Sequence, residues 1–336
     1  MIKVGIVGCG FMGGTHHACY QALENLGVKV TAVADLRPEF AQKLAEQSGA
    51  EVYGRGMDLI EKADVDVVDI CLPTDEHVRH AVAAMRKGRD VFVEKPVCIR
   101  EEEMEEILRA EAETGVKVMV GQVIRLWTEY AWLKEVKESG VYGRFLCGEF
   151  HRLSARPEWA SQGWLHDPAR SGGVAVDMHV HDVDFVRYLL GEPDRVQAQA
   201  YRDGSGLIQQ IYAQYGYGSD VGVAIEAGWN YPASYPFTAG FRVKFERAAV
   251  ILDGSGLTVY PNEGEPFQPE LLGEFQGDSD LGGNISSLGG YYNELKFFVE
   301  GIRGDHPLDV ATVSEAVKSV KLVKREIELA GGLIAG

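Results

Sequence analysis

The chain has few cysteines, a deficit of basic residues and no long apolar run. Its five cysteines (Cys9, Cys19, Cys71, Cys98 and Cys147) are odd in number, and no two stand in CxxC or another metal-ligand spacing. That excludes a disulfide framework and a zinc ribbon, and it reads as reduced thiols in a cytoplasmic protein. HExxH is missing as well, so no metal site is expected. No stretch of about 18 consecutive apolar residues occurs, so no transmembrane helix is expected. The first residues contain no basic stretch followed by a long apolar one, which argues against a signal peptide. Lysine and arginine total 33 against 50 acidic residues, a net charge of -17. Such a surface repels phosphate backbones and anionic lipid. Neither nucleic acid nor membrane is therefore an expected partner, whereas an anionic small molecule stays admissible wherever a site carries its own positive field.

What is present suits a globular protein. The 336 residues are 46% hydrophobic and 25% charged, enough for two domains that each bury a core. Over the first 120 residues, apolar runs at 3–7, 28–34, 65–72, 90–93 and 116–120 alternate with amphipathic segments at 13–26, 38–47, 76–87 and 101–114. The runs are rich in Val and Ile and nearly continuous, as in strands buried on both faces. Pro38 suits a first helical turn, and Gly88 and Gly115 suit helix ends. Alternating strand and helix predicts a parallel sheet. Beyond about residue 122 the pattern changes. A helix is expected at 128–139, a strand at 144–153, and a helix at 173–190. Strands follow at 196–201, 208–215, 220–229, 240–245, 248–252 and 257–259, which suggests an antiparallel meander. A Gly- and Pro-rich loop is expected at 261–290, then helices at 291–302 and 312–330.

Gly8-Cys9-Gly10-Phe11-Met12-Gly13 matches GxGxxG between an expected strand and an expected helix, the context that dinucleotide binding requires. Gly8 permits the tight turn, Gly10 lets the backbone approach a pyrophosphate, and Gly13 lets the helix pack on the strand. Asp35 ends the second strand, 22 residues past Gly13. Its carboxylate can accept from the ribose hydroxyls and repel a 2′-phosphate, which favours NAD over NADP. Arg37 nearby could stack on adenine or tolerate a phosphate.

Other residues collect at the carboxyl ends of the same strands. In Cys71-Leu72-Pro73-Thr74-Asp75-Glu76-His77, Thr74 reads as a helix cap or a ligand contact. His77 falls in the first helical turn, at the surface or at the ligand. Glu94-Lys95-Pro96 ends another strand, and its first two side chains point to opposite sides. Lys95 is either a solvated lysine or a proton-transfer group. In the second half, Gly172-Gly173 precedes Asp177 and His181. These two are four apart, hence on one helical face, and His179 lies on another. An acid and an imidazole so placed can form a base with its orienting partner, or belong to a capped helix with exposed histidines.

Together these motifs, in this order and over nearly the whole chain, resemble the glucose–fructose oxidoreductase, inositol dehydrogenase and MocA family (Gfo/Idh/MocA). The resemblance implies an N-terminal Rossmann dinucleotide-binding domain at 1–122. It also implies an α+β domain at 123–336 whose large, mostly antiparallel sheet binds substrate and forms a homodimer or homotetramer. It implies NAD as cofactor, held by Gly8, Gly10, Phe11, Met12, Gly13, Asp35, Pro73, Thr74, His77, Glu94 and Lys95. It implies Lys95, Asp177 and His181 as the catalytic set. His181 would take the hydroxyl proton, Asp177 would orient it, and Lys95 would hydrogen-bond the reacting oxygen. Arg125 and Trp164 would join them around an inositol, sugar or sugar acid, with Trp159 a further candidate; the tryptophans also read as core. Ser171 stands where the family often has a third glycine, and Trp127 where it more usually has Phe. Two other activities of such a fold stay open: self-recycling NAD chemistry, as in NAD-using glycosidases, and non-catalytic sensing of NAD(P).

Overall fold

A computed structural model describes residues 1–158, 161–271 and 288–331 of the chain. Its first sheet comprises β1 (Ile2–Val7), β2 (Val28–Ala34), β3 (Glu51–Tyr53), β4 (Val67–Ile70), β5 (Asp90–Glu94) and β6 (Val118–Gly121). The order is β3-β2-β1-β4-β5-β6, and every pair is parallel. β4 and β6 are buried at every residue, which is why the sequence shows continuous apolar runs there instead of alternation. Between the strands lie α1 (Phe11–Ala22), α2 (Pro38–Ser48), α3 (Gly56–Lys62), α4 (His77–Arg86) and α5 (Glu101–Thr114). Pro38 occupies the first turn of α2, and Gly115 ends α5 in the left-handed region. The sequence reading missed β3 and α3. β3 is a three-residue edge strand with two exposed residues, so it has no apolar signature. Because β2 and β4 flank β1, the strand order reverses at β1. Ligands bind such sheets in the crevice outside the carboxyl ends at that point.

The second sheet follows α6 (Thr128–Ser139). Its strands are β7 (Phe145–Ala155), β8 (Arg195–Arg202), β9 (Ile208–Tyr217), β10 (Val221–Tyr231), β11 (Thr238–Phe245), β12 (Ala248–Asp253) and β13 (Gly256–Pro261). The order is β13-β12-β11-β7-β10-β9-β8. All pairs are antiparallel except β7–β10, whose parallel register runs from Gly222 opposite Cys147. β7 thus sits at the centre, far from both neighbours in sequence. α7 (Pro168–Ser171) and α8 (Val180–Leu190) lie between β7 and β8. Tyr130, Phe150, Phe185 and Phe241 build an aromatic core, with Tyr130 edge-on to Phe185 at 4.8 Å and to Phe241 at 5.2 Å.

α9 (Gly289–Arg303) and α10 (Val313–Leu329) end the described chain. Two compact units result: Met1–Trp127 with Glu274–Val317, and Thr128–Gly273 with Lys318–Gly336. The chain thus returns to the first unit after the second sheet. The reason is the apolar stripe of α9. Leu295, Phe298 and Val299 are at most 1% exposed and share a core with Tyr20, Leu23 and Val30 of the first unit. Among the described residues, no helix is long and apolar enough to cross a membrane.

Candidate active site

The glycine turn follows from close backbone packing. Gly8 has φ of 94°, and a Cβ on it would lie 2.5 Å from the Cys71 carbonyl oxygen. A Cβ on Gly13 would lie 1.9 Å from the carbonyl oxygen of Gly8. Gly10 is different, because its Cβ would meet nothing nearer than the Arg37 guanidinium at 3.7 Å. Packing does not demand glycine there, whereas the approach of a pyrophosphate does. Gly10 is also the N-cap of α1, whose first turn has no acidic residue and no side-chain cap. A helix N-terminus of this kind, with half-buried Phe11 and Met12 in its first turn, favours an anion. Asp35 joins this turn to β2. Its carboxylate accepts the Cys9 N–H at 2.9 Å and the Arg37 N–H at 2.8 Å. The Arg37 guanidinium lies 3.8 Å from the centre of the Phe40 ring. The turn, the helix N-terminus and the acid fit a dinucleotide.

At the exits of β4 and β5 the structure corrects three expectations. Thr74, beside half-buried Pro73, is buried but caps no helix, and its hydroxyl has no hydrogen-bond partner. His77 is not at the surface but 1% exposed. Its Nδ1 lies 2.8 Å from the Pro96 carbonyl and its Nε2 2.7 Å from the Leu72 carbonyl, so the ring ties the two loops together. Burial holds its pKa below the usual histidine value, against the pull of those carbonyls. Glu94 turns inward at 5% exposure, and its Oε2 accepts the N–H of Lys95 at 3.1 Å. Lys95 itself is half-buried on the exit of β5.

Glu94 meets a group that the sequence reading missed. His16 of α1 is fully buried, with Nδ1 2.9 Å from Asp69 Oδ2 and 3.3 Å from Cys71 Sγ. Its Nε2 lies 3.1 Å from Glu94 Oε1. That approach is off the hydrogen-bonding direction, so it is an ion-pair contact. Desolvation would lower the His16 pKa, but the Asp69 charge and Cys71 raise it well above the ordinary value. Burial, Glu94 and Asp69 also raise the Glu294 pKa, which for a carboxyl group favours the neutral acid. The donor atoms of His16, Asp69 and Cys71 lie within 4.8 Å of one another. Their contacts of 2.9–3.3 Å are hydrogen-bond distances within the cluster. Nothing in the sequence signalled this cluster, because His16 on α1 lies 53 residues from Asp69 on β4.

Beyond β6, Gln122 is 1% exposed, and neither polar atom of its side-chain amide has a partner among the described residues. Arg125 was expected to face substrate. It is 3% exposed, and its guanidinium donates to the Val310 carbonyl, so it tethers this strand exit internally.

In the second unit Gly172 has φ of 74°, and a Cβ there would press on the Val176 side chain at 2.4 Å. Ser171 supplies what a third glycine could not. Its hydroxyl donates to the Leu165 carbonyl at 2.9 Å and accepts the Gly173 N–H at 2.9 Å. The expected continuous α-helix begins instead as a π-turn, Ala175–His179, leading into α8. Such turns recur at functional sites. Asp177 and His181 are the residues of 174–187 that keep partial exposure, while their neighbours are buried. His179 points into the interior, with Nε2 3.0 Å from Glu326 Oε2. Trp164 is half-buried on the 3-10 turn Ser161–His166. Trp159 lies outside the described residues.

Comparisons with known proteins match this geometry. Residues 2–122 match the family model GFO_IDH_MocA, described as an oxidoreductase family with an NAD-binding Rossmann fold, and residues 130–251 match the GFO/IDH/MocA C-terminal domain. The chain is 33% identical over 201 residues to inositol 2-dehydrogenase of Rhizobium meliloti, covering 59% of this chain and 58% of that protein. It is 31% identical over 243 residues to inositol 2-dehydrogenase 2 of Saccharopolyspora erythraea, covering 68% of each. The matched region thus spans little more than half of the first of these relatives. Among solved structures, levoglucosan dehydrogenase in complex with NADH and levoglucosan superposes with a TM-score of 0.83 at 20% identity, covering 98% of this chain and 97% of that one. UDP-N-acetylglucosamine 3-dehydrogenase of Acidithiobacillus ferrooxidans gives 0.78 at 19% identity, with 98% and 97% covered. The chain belongs to the Gfo/Idh/MocA oxidoreductase family, with its NAD-binding Rossmann fold at residues 2–122.

Proposed function

We propose that the protein is an NAD(H)-dependent dehydrogenase acting on a secondary alcohol or ketone carbon of an inositol, sugar or sugar acid. The observation that carries this reading is the glycine turn of Gly8, Gly10 and Gly13 with Asp35, at the same sheet edge from which Lys95 leaves β5. Inositol 2-dehydrogenases among the relatives support the substrate class. The bound cofactor supplies a hydride acceptor, or a donor in the reverse direction.

The chain's residues supply the rest. A secondary hydroxyl is far too weak an acid to lose its proton unaided near neutral pH. His181 takes that proton, and Asp177 orients the imidazole. Lys95 hydrogen-bonds the reacting oxygen. Asp35 accepts from the ribose, which favours NAD. The second sheet exposes Tyr201 and Tyr212 at 54% and 45%, and a homodimer or homotetramer through that sheet belongs to the same reading.

The test is NADH formation at 340 nm with NAD or NADP and a panel of inositols, aldoses and sugar acids. A clear rate with one class supports the reading and names the class. Silence across the panel, in a protein that binds NADH by fluorescence, overturns it in favour of self-recycling chemistry or sensing.

A further inference from the structure

Lys95 stands between two buried anchors. On its N-terminal side, Glu94 Oε2 accepts its N–H at 3.1 Å. On its C-terminal side, the Pro96 carbonyl meets His77 Nδ1 at 2.8 Å. Glu94 is in turn confined by what surrounds it. A Cβ on Gly121 of β6 would lie 3.0 Å from Glu94 Oε1, so glycine on the neighbouring strand leaves room for this carboxylate. His16 Nε2 reaches the same oxygen at 3.1 Å, and Asp69 fixes the far side of the ring at 2.9 Å. The ring is further held edge-on against Phe92, 5.4 Å between centroids. A buried carboxylate with this many constraints has few orientations open to it.

We propose that His16 and Glu94 are positioning residues for Lys95: the Asp69-bound imidazole holds the Glu94 carboxylate, which fixes the peptide from which the lysine amine projects. Glu94 then serves the reaction from within the core and not as a cofactor ligand. The proposal rests on the reading of Lys95 as a catalytic residue.

The experiment uses the full chain with H16Q, E94Q, K95M and E94Q/K95M. Glu94→Gln is isosteric and keeps an acceptor for the Lys95 N–H, so it reports even where His16→Gln folds poorly. The first readout is hydrogen exchange at the Lys95 amide, which needs no substrate. In H16Q, and in E94Q, exchange there is expected to be about tenfold faster, with the amides of β1 unchanged. Unchanged exchange at Lys95 in both variants overturns the proposal. The second readout is turnover with NAD and whichever polyol of the panel reacts. E94Q is expected to lower kcat about tenfold, leave KM for NAD in place, and have no further effect in the K95M background. The same loss in both backgrounds means that Glu94 does not act through Lys95 and overturns the proposal. A K95M protein with full kcat overturns the catalytic reading of Lys95 instead, and the exchange data then decide the anchoring by themselves.

Discussion

His179 Nε2 lies 3.0 Å from Glu326 Oε2, and neither residue has exposed surface. Tyr215 of β9 donates its hydroxyl to the other oxygen of the same carboxylate. One buried acid on α10 thus holds both the π-turn and the sheet. Removing it leaves an imidazole and a phenol buried with no partner, a loss of about 3–5 kcal/mol. Glu326→Ala is expected to destabilise the protein by that amount in urea unfolding. Its NADH affinity, measured by fluorescence on the folded fraction, is expected to stay within about twofold of the parent.

Gly13→Ala places a methyl group where the Gly8 carbonyl oxygen already stands, 1.9 Å away. The turn must open to admit it. We expect a loss of about 2–4 kcal/mol in stability and at least a tenfold weaker NADH complex, the first by thermal unfolding and the second by titration. Wild-type affinity in G13A would show that the turn is not where the dinucleotide binds.

Asp35→Ala removes the acceptor of the Cys9 and Arg37 N–H groups. It also removes the negative charge that would oppose a 2′-phosphate. NAD is expected to bind about tenfold more weakly, and the ratio of NADP to NAD affinity to rise. Titration with both cofactors checks this, and an unchanged ratio takes Asp35 out of the ribose role.

His77 gives a pH dependence whose sign can be worked out. Burial holds its folded pKa below 6.5, the ordinary value. The unfolded chain therefore binds this proton more readily, and stability falls as pH drops below that value. His17 and His80 are depressed by burial in the same direction. His16 and Glu294, whose values are raised, oppose this as the pH falls, so the His77 contribution is read as a decline in stability in the parent relative to His77→Gln, by urea unfolding between pH 7.5 and pH 5. The decline should be shallower in His77→Gln, by up to about 1.4 kcal/mol per pH unit. An identical slope in the variant would mean that His77 takes up no proton in this window.

Much of the first sheet could be read from sequence. β1, β2, β4, β5 and β6 are Val-rich apolar runs, as expected of a covered parallel sheet, and the glycine turn is a six-residue motif, although the contact that confines Gly8 comes from the distant Cys71 carbonyl. β3 could not be read, since a short exposed edge strand has no pattern. The parallel partnership of β7 with β10 was hidden as well, because periodicity gives the face of a strand but not its neighbour. Asp177 and His181 were singled out by their spacing, and they are the residues of 174–187 that keep partial exposure. Glu94, His77 and Arg125 make internal contacts that the sequence did not reveal, for one common reason. Each is a polar residue at the ligand end of a strand, and sequence does not say whether such a side chain turns outward to a ligand or inward to another loop. His16 was invisible because its partners, Asp69 and Glu94, come from separate strands.

The return of α9 to the first unit has a consequence for synthesis. The hydrophobic seat of Leu295 and Phe298 is built from residues of β1, α1, β2 and β5, which leave the ribosome long before their cover does. Until α9 has emerged, the nascent nucleotide-binding half exposes an apolar groove. A fragment stopped at residue 122 carries that groove permanently, and is expected to be a client of chaperones and not a free-standing cofactor-binding module.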